Sequence, residues 1–146
     1  ARVIAMASEV KHADVAALGA DRLLPRDAST LKTDLADETV TVVADIVGGA
    51  IWPALIDVLT RGGRYTCSGA IAGPMVEFDL RTFYLRDLTF TGSTVIDREV
   101  MPRLVSYIEA GKVKPVLAAR YPLSALHDAQ RAFISKTHTG NIVVCP

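Results

Sequence analysis

A hydroxyl at Ser8 and an ammonium at Lys11 stand just beyond a short apolar run, where a helical pattern begins. The pair suits a phosphomonoester, since both groups donate hydrogen bonds and the amides of a starting helix favour anions. The same residues also read as a capping serine and a solvated lysine. Three more places follow apolar, strand-like runs: Gly48-Gly49, Ser68-Gly69-Ala70 and Gly92-Ser93-Thr94. Glycine there lets a ligand approach the backbone, and a hydroxyl can donate to a phosphate or ribose. Turns need glycine for their own geometry as well. Asp45 lies inside an apolar run, where a carboxylate is costly unless hydrogen-bonded. A structural or ribose-orienting role fits it better than acid–base work.

Other constellations do not form. His12, His127 and His138 are scattered, and Cys67 and Cys145 lack metal-ligand spacing with them, so no zinc site is read. Ser68 lacks the G-x-S-x-G surroundings of a nucleophile elbow. The chain carries no G-x-G-x-x-G and no Walker loop. Glu77 and Asp79 flank Phe78 and read as caps for a helix near Leu80. No catalytic residue is assigned.

The elements that would position these residues alternate from end to end. Arg2 to Ala7 is a nearly unbroken apolar run, the pattern of a strand buried on both faces. Ser8 then caps a helix carrying Val10, Ala13 and Ala17, which Gly19 stops. Leu23-Leu24 is a short strand, and Ser29 to Glu38 a polar helix. Thr41 to Val47 is the clearest strand, rich in β-branched residues and closed by glycine. Pro53 opens a helix with Leu55, Val58 and Leu59 inward. Arg61 to Arg64 reads as a turn, Tyr65 to Ser68 as a strand, Leu80 to Leu85 as a helix and Leu88 to Gly92 as a strand. Asp97 caps a helix with Leu104, Val105 and Ile108 on one face. Val116 to Ala119 is a strand, Leu126, Ala129 and Phe133 mark a helix, and Ile142 to Cys145 is the last strand. Repeated strand–helix–strand units with buried strands mean a doubly wound parallel α/β sheet. Ligands in such sheets bind beyond the carboxyl ends of the strands, where the glycines and hydroxyls stand.

Composition narrows the function. The 146 residues carry 16 basic and 16 acidic side chains, and half are hydrophobic, which excludes a disordered chain. Balanced charge offers no field for nucleic acid or an anionic membrane. No apolar run approaches the roughly 20 residues of a membrane span. Two cysteines are too few for a disulfide framework, so a cytoplasmic setting is expected. The chain opens at Ala1 directly on a strand-like run, and an excised piece of a longer protein is expected.

The segments RVIAMASEVKHADVAALGAD, VVADIVGGAIWPALIDVLTRGGRYTCSGAIAGPMVEFDLRTFYLRDLTFTGST and YIEAGKVKPVLAARYPLSALHDAQRAFISKTHTGNIVV occur in this order. Together they resemble the coenzyme-binding half of medium-chain dehydrogenase/reductases, nearest the quinone-oxidoreductase and zinc-type alcohol-dehydrogenase-like subgroup. The resemblance covers essentially the whole chain. It implies a Rossmann-type fold and hydride transfer from NADPH to a quinone, enone, enoyl thioester or carbonyl. By position, Ser8 and Lys11 match the segment holding the adenosine 2′-phosphate, and Gly48-Gly49 the turn along ribose and pyrophosphate. Ser68, Gly69, Ala70 and Ile71 match the loop near the nicotinamide ribose, and Thr94-Val95-Ile96 the segment near the carboxamide. Lys136 matches a basic position near the cofactor, while Asn141 stands where the family often has lysine.

Departures from the family carry expectations of their own. The catalytic domain that meets the small-molecule substrate lies N-terminal to the matched region, and the first Rossmann strand is also missing. The chain alone is therefore expected to show no turnover. The slot between the strand at 2–7 and that at 41–47 is expected to close, to accept a neighbour's strand, or to hold a bound N-terminal piece. The segment 88–92 carries no lysine or proline and is expected to join two copies as a homodimer edge. Two readings compete with the enzyme: a non-catalytic dinucleotide-binding or regulatory module on the same fold, and an unrelated doubly wound domain such as a methyltransferase. A methyltransferase calls for a glycine-rich first turn and an acidic residue where Ser8 and Lys11 stand.

Overall fold

The computed structural model describes residues 1–94 and 97–146. The chain divides into two compact units, Ala1–Val95 and Ile96–Pro146.

In the first unit β1 (Ile4–Met6) leads through a 3-10 turn (Glu9–Lys11) into α1 (His12–Ala17), then β2 (Arg22–Leu24) and α2 (Leu31–Asp34). β3 (Val40–Asp45), a 3-10 turn (Gly49–Ile51), α3 (Trp52–Asp57), β4 (Leu59–Cys67), α4 (Leu80–Leu85) and β5 (Thr89–Gly92) follow. Every strand pairing is parallel, as the strand–helix–strand pattern requires. β1 pairs with β2, and β3, β4 and β5 form a second ladder in that order. Among the described residues no ladder joins β1 to β3, so the slot expected there is not closed by direct pairing. Side chains join the two ladders instead. Ile4, Met6 and Val40 pack on a cluster of Leu24, Leu31 and Leu35.

α3 serves two cores. Trp52 and Ile56, four residues apart, face a cluster with Leu59, Tyr65 and Leu88, while Leu55 and Val58 turn toward the leucine cluster. Ile56 and Leu59 are essentially fully buried, each stabilising by about 1.5–3 kcal/mol. Leu59, expected on the helix, already belongs to β4. The helix ends where the Arg86 guanidinium donates to the carbonyls of Ile56, Asp57 and Leu59.

Several boundaries differ from the sequence reading. The turn at Arg61 to Arg64 lies inside β4, as an irregularity where the β3 register jumps from Leu59 to Arg64. Gly62 still takes a turn conformation at φ 72°, and its N–H donates to the Arg86 carbonyl. The helix expected over 29–38 shortens to α2, because Leu31 and Leu35 alone provide its buried side. Ser8 occupies an N-cap position, yet its hydroxyl makes no capping bond. Asp79 does cap α4, accepting from the Arg81 N–H at 2.8 Å.

The second unit holds α5 (Val100–Glu109), β6 (Leu117–Pro122), a 3-10 turn (Leu123–Ala125), α6 (Leu126–Ser135) and β7 (Asn141–Cys145). β6 and β7 pair in parallel across α6, a complete strand–helix–strand unit with Ala129 buried. α5 starts at Val100, after Glu99, rather than at the Asp97 cap. Its Leu104, Val105 and Ile108, read as one face of the helix, are each more than a third exposed. No helix among the described residues is long and apolar enough to cross a membrane.

Candidate functional site

Parallel register brings Asp45, Cys67 and Gly92 level at the carboxyl ends of β3, β4 and β5. The loops leaving those ends therefore lie side by side. They are laced by backbone hydrogen bonds. Ser68 N donates to Asp45 O at 3.0 Å, Ile71 N to Ile46 O at 3.4 Å and Ala72 N to Val47 O at 2.8 Å. Gly49 N donates to Gly73 O at 3.0 Å, and Ser93 N ties the third loop to Cys67 O at 2.9 Å.

Asp45 is the buried charged group of this site, 5% exposed. Its carboxylate accepts from Val47 N at 2.7 Å, from Gly48 N at 3.2 Å and from the Tyr65 hydroxyl at 2.9 Å. Those donors meet the cost that an unpartnered carboxylate would carry in an apolar strand. Burial, and then the bond to Asp45, push the Tyr65 phenol far above its ordinary value, so it stays protonated and donates. The Tyr65 ring packs edge-on to Trp52 and Phe90, with centroids 5.9 and 5.4 Å away. The loop is thereby tied to the aromatic core.

The glycines answer to this lacing. Gly48 and Gly49 are buried, and a Cβ on Gly49 would meet the Ala72 carbonyl oxygen at 2.9 Å. A Cβ on Gly69 would lie 3.0 Å from the Ile46 carbonyl oxygen. The space that the missing side chains leave is filled by the neighbouring loop. Glycine here admits protein backbone.

The remaining residues singled out from sequence fall in three places. Ser68 and Ala70 are exposed, Gly69 is half-buried, and Ile71 holds its side chain 73% exposed on a backbone anchored at Ile46. Thr94 is exposed beyond β5, next to them, whereas Val95 and Ile96 lie outside the described residues. Ser8 and Lys11 sit together beyond β1, with the Ser8 carbonyl accepting from Lys11 N at 2.9 Å. The neighbouring His12 ring bonds the Ala7 carbonyl at 3.1 Å. Lys136 belongs to the second unit, exposed at the end of α6 with φ 51°. Sequence reasoning missed Tyr65. The available signal was Asp45 itself, since a carboxylate in an apolar strand demands donors from elsewhere.

Residues 18–144 match the zinc-binding dehydrogenase family. The chain belongs to that family. An NADPH-dependent alkenal/one oxidoreductase from the chloroplast of Arabidopsis thaliana is 30% identical over 99% of this chain and 34% of its own length. The acryloyl-coenzyme A reductase of Metallosphaera sedula is 24% identical over 99% of this chain and 43% of its own. A candidate alcohol dehydrogenase of Sinorhizobium meliloti 1021 has a solved structure that superposes with a TM-score of 0.89. It is 41% identical, over 98% of this chain and 41% of that one. The chain thus spans between 34% and 43% of the length of these relatives. The fold is the Rossmann-type coenzyme-binding portion of the medium-chain dehydrogenase/reductases. Despite the family's name, no three His, Cys, Asp or Glu residues gather as metal ligands among the described residues.

Proposed function

We propose that this chain supplies the coenzyme-binding part of an NADPH-dependent oxidoreductase that reduces an activated double bond or carbonyl, as in an enone, enoyl thioester or quinone. The two named relatives above, an alkenal/one oxidoreductase and an acryloyl-coenzyme A reductase, support the substrate class. When bound, the dihydronicotinamide supplies a hydride to the electron-poor carbon, and a proton completes the reduction. The chain's own share is binding and orientation. Ser68 to Ile71 and Thr94 line the carboxyl ends of β4 and β5, where they meet the nicotinamide ribose and carboxamide. Gly48 and Gly49 shape the turn beside them. Two free cysteines fit a reducing cytoplasm, and β5 offers an edge for a homodimer.

One observation carries the preference for NADPH over NADH. The segment after β1 reads Ala7-Ser8, with no carboxylate until Glu9, and the Ser8 hydroxyl makes no capping bond. An acidic residue there would accept from both ribose hydroxyls and repel a 2′-phosphate. The Ser8 hydroxyl and the Lys11 ammonium donate to that phosphate instead. Lys11→Ala is expected to raise the dissociation constant for NADPH about ten- to hundredfold, with NADH nearly unchanged. Fluorescence titration with both cofactors checks this. Equal weakening of the two, or tighter NADH binding by the unaltered protein, overturns the reading.

A further inference from the structure

The groups around Asp45 form a continuous chain from the core to the candidate site. The Tyr65 ring packs in the aromatic cluster of Trp52, Phe78 and Phe90, and its hydroxyl donates to Asp45. The carboxylate in turn holds the N–H groups of Val47 and Gly48 inward. With those amides fixed, Gly48 takes φ 60° and ψ −150°, and the next amide, Gly49 N, reaches the Gly73 carbonyl. Ala72 N closes on Val47 O from the other side. Ser68 to Ile71 are thus set in place by a carboxylate that they do not touch with their own side chains.

We infer that Asp45 and Tyr65 are a positioning pair for the nicotinamide half of the cofactor, an inference that rests on the dinucleotide reading above. The pair acts only on the loops beyond β3 and β4. Ser8 and Lys11 stand beyond β1, which belongs to a different ladder. Loosening the pair therefore changes how the protein holds the whole dinucleotide, and leaves its grip on the phosphate-bearing adenosine half as it was. A residue that only stabilised the fold would affect both halves together.

The test uses Tyr65→Phe, which keeps the ring in the aromatic cluster, and Asp45→Asn, which keeps the side-chain size but replaces the oxygen that accepts from the Tyr65 hydroxyl and Gly48 N with an NH2 that cannot accept. Dissociation constants are measured for NADPH and for adenosine 2′,5′-bisphosphate, with the unfolding midpoint of each protein free of ligand. Both variants are expected to weaken NADPH about tenfold and to leave the bisphosphate within about twofold of its starting value. Loss of both ligands in step with a lowered midpoint reduces the pair to a structural contact and overturns the inference. So does NADPH binding unchanged in Tyr65→Phe. If the unaltered protein binds the bisphosphate as tightly as NADPH, the loops contribute nothing and the inference fails while the phosphate site stands. If it binds neither, the dinucleotide reading fails and the inference with it.

Discussion

A Cβ placed on Gly48 would stand 2.9 Å from the carbonyl oxygen of Gly73, twenty-five positions further along the chain. That oxygen already accepts from Gly49 N at 3.0 Å, so it cannot retreat without breaking the bond that joins the loops beyond β3 and β4. The backbone of Gly48 adds a second constraint, since φ 60° with ψ −150° is a conformation that only glycine adopts readily.

Gly48→Ala is accordingly expected to cost about 2–4 kcal/mol, from backbone strain and the clash together. Gly62→Ala makes the control. Gly62 also has a positive φ, 72°, but a Cβ there meets open space, so only about 1–2 kcal/mol is expected. Urea unfolding midpoints separate the two. Equal costs would show that the loop contact can give way.

Acid should weaken the first unit through Glu38. Its carboxylate accepts from Arg2 Nε at 3.0 Å and Arg2 Nη2 at 2.7 Å, with Arg22 at 3.3 Å. The hydrogen bond from Arg2 holds it below the usual carboxylate range, against the cost of desolvation. A depressed native value means that the contribution is fully present above about pH 4.5 and is lost as pH falls through the lowered value. Glu38→Gln should therefore flatten the acid limb of a stability–pH curve and lower the plateau at neutral pH. An acid limb identical in the two proteins would assign the loss to other carboxylates.

The β5 edge should mediate self-association. β5 pairs with β4 on one side, and Thr89, Phe90, Thr91 and Gly92 include no charge or proline to discourage pairing on the other. Thr89 is exposed, so Thr89→Lys places like charges across a two-fold contact without disturbing the core. Sedimentation velocity is expected to show a dimer for the unaltered protein and a shift toward monomer for the variant. A monomer in both cases would remove this edge from consideration.

The order of strands and helices was written in the sequence because apolar periodicity is local: β-branched runs such as Thr41–Val43 and the i, i+4 leucines need no distant information. Four strand ends were legible for the same reason, since glycine or serine follows those apolar runs. Three matters were decided only by tertiary structure. The donors that make a buried Asp45 tolerable include Tyr65, twenty positions away, and the pairing depends on the parallel register of β3 and β4. Gly48, Gly49 and Gly69 looked like openings for a ligand, yet their missing side chains make room for loops that fold back from elsewhere in the chain. Arg61 to Arg64 reads as a turn from its own residues, yet it lies inside β4 as an irregularity, because β3 pairs on both sides of it. Each of these depends on distances between segments far apart in the chain, and composition and spacing record only what neighbours along the chain prefer.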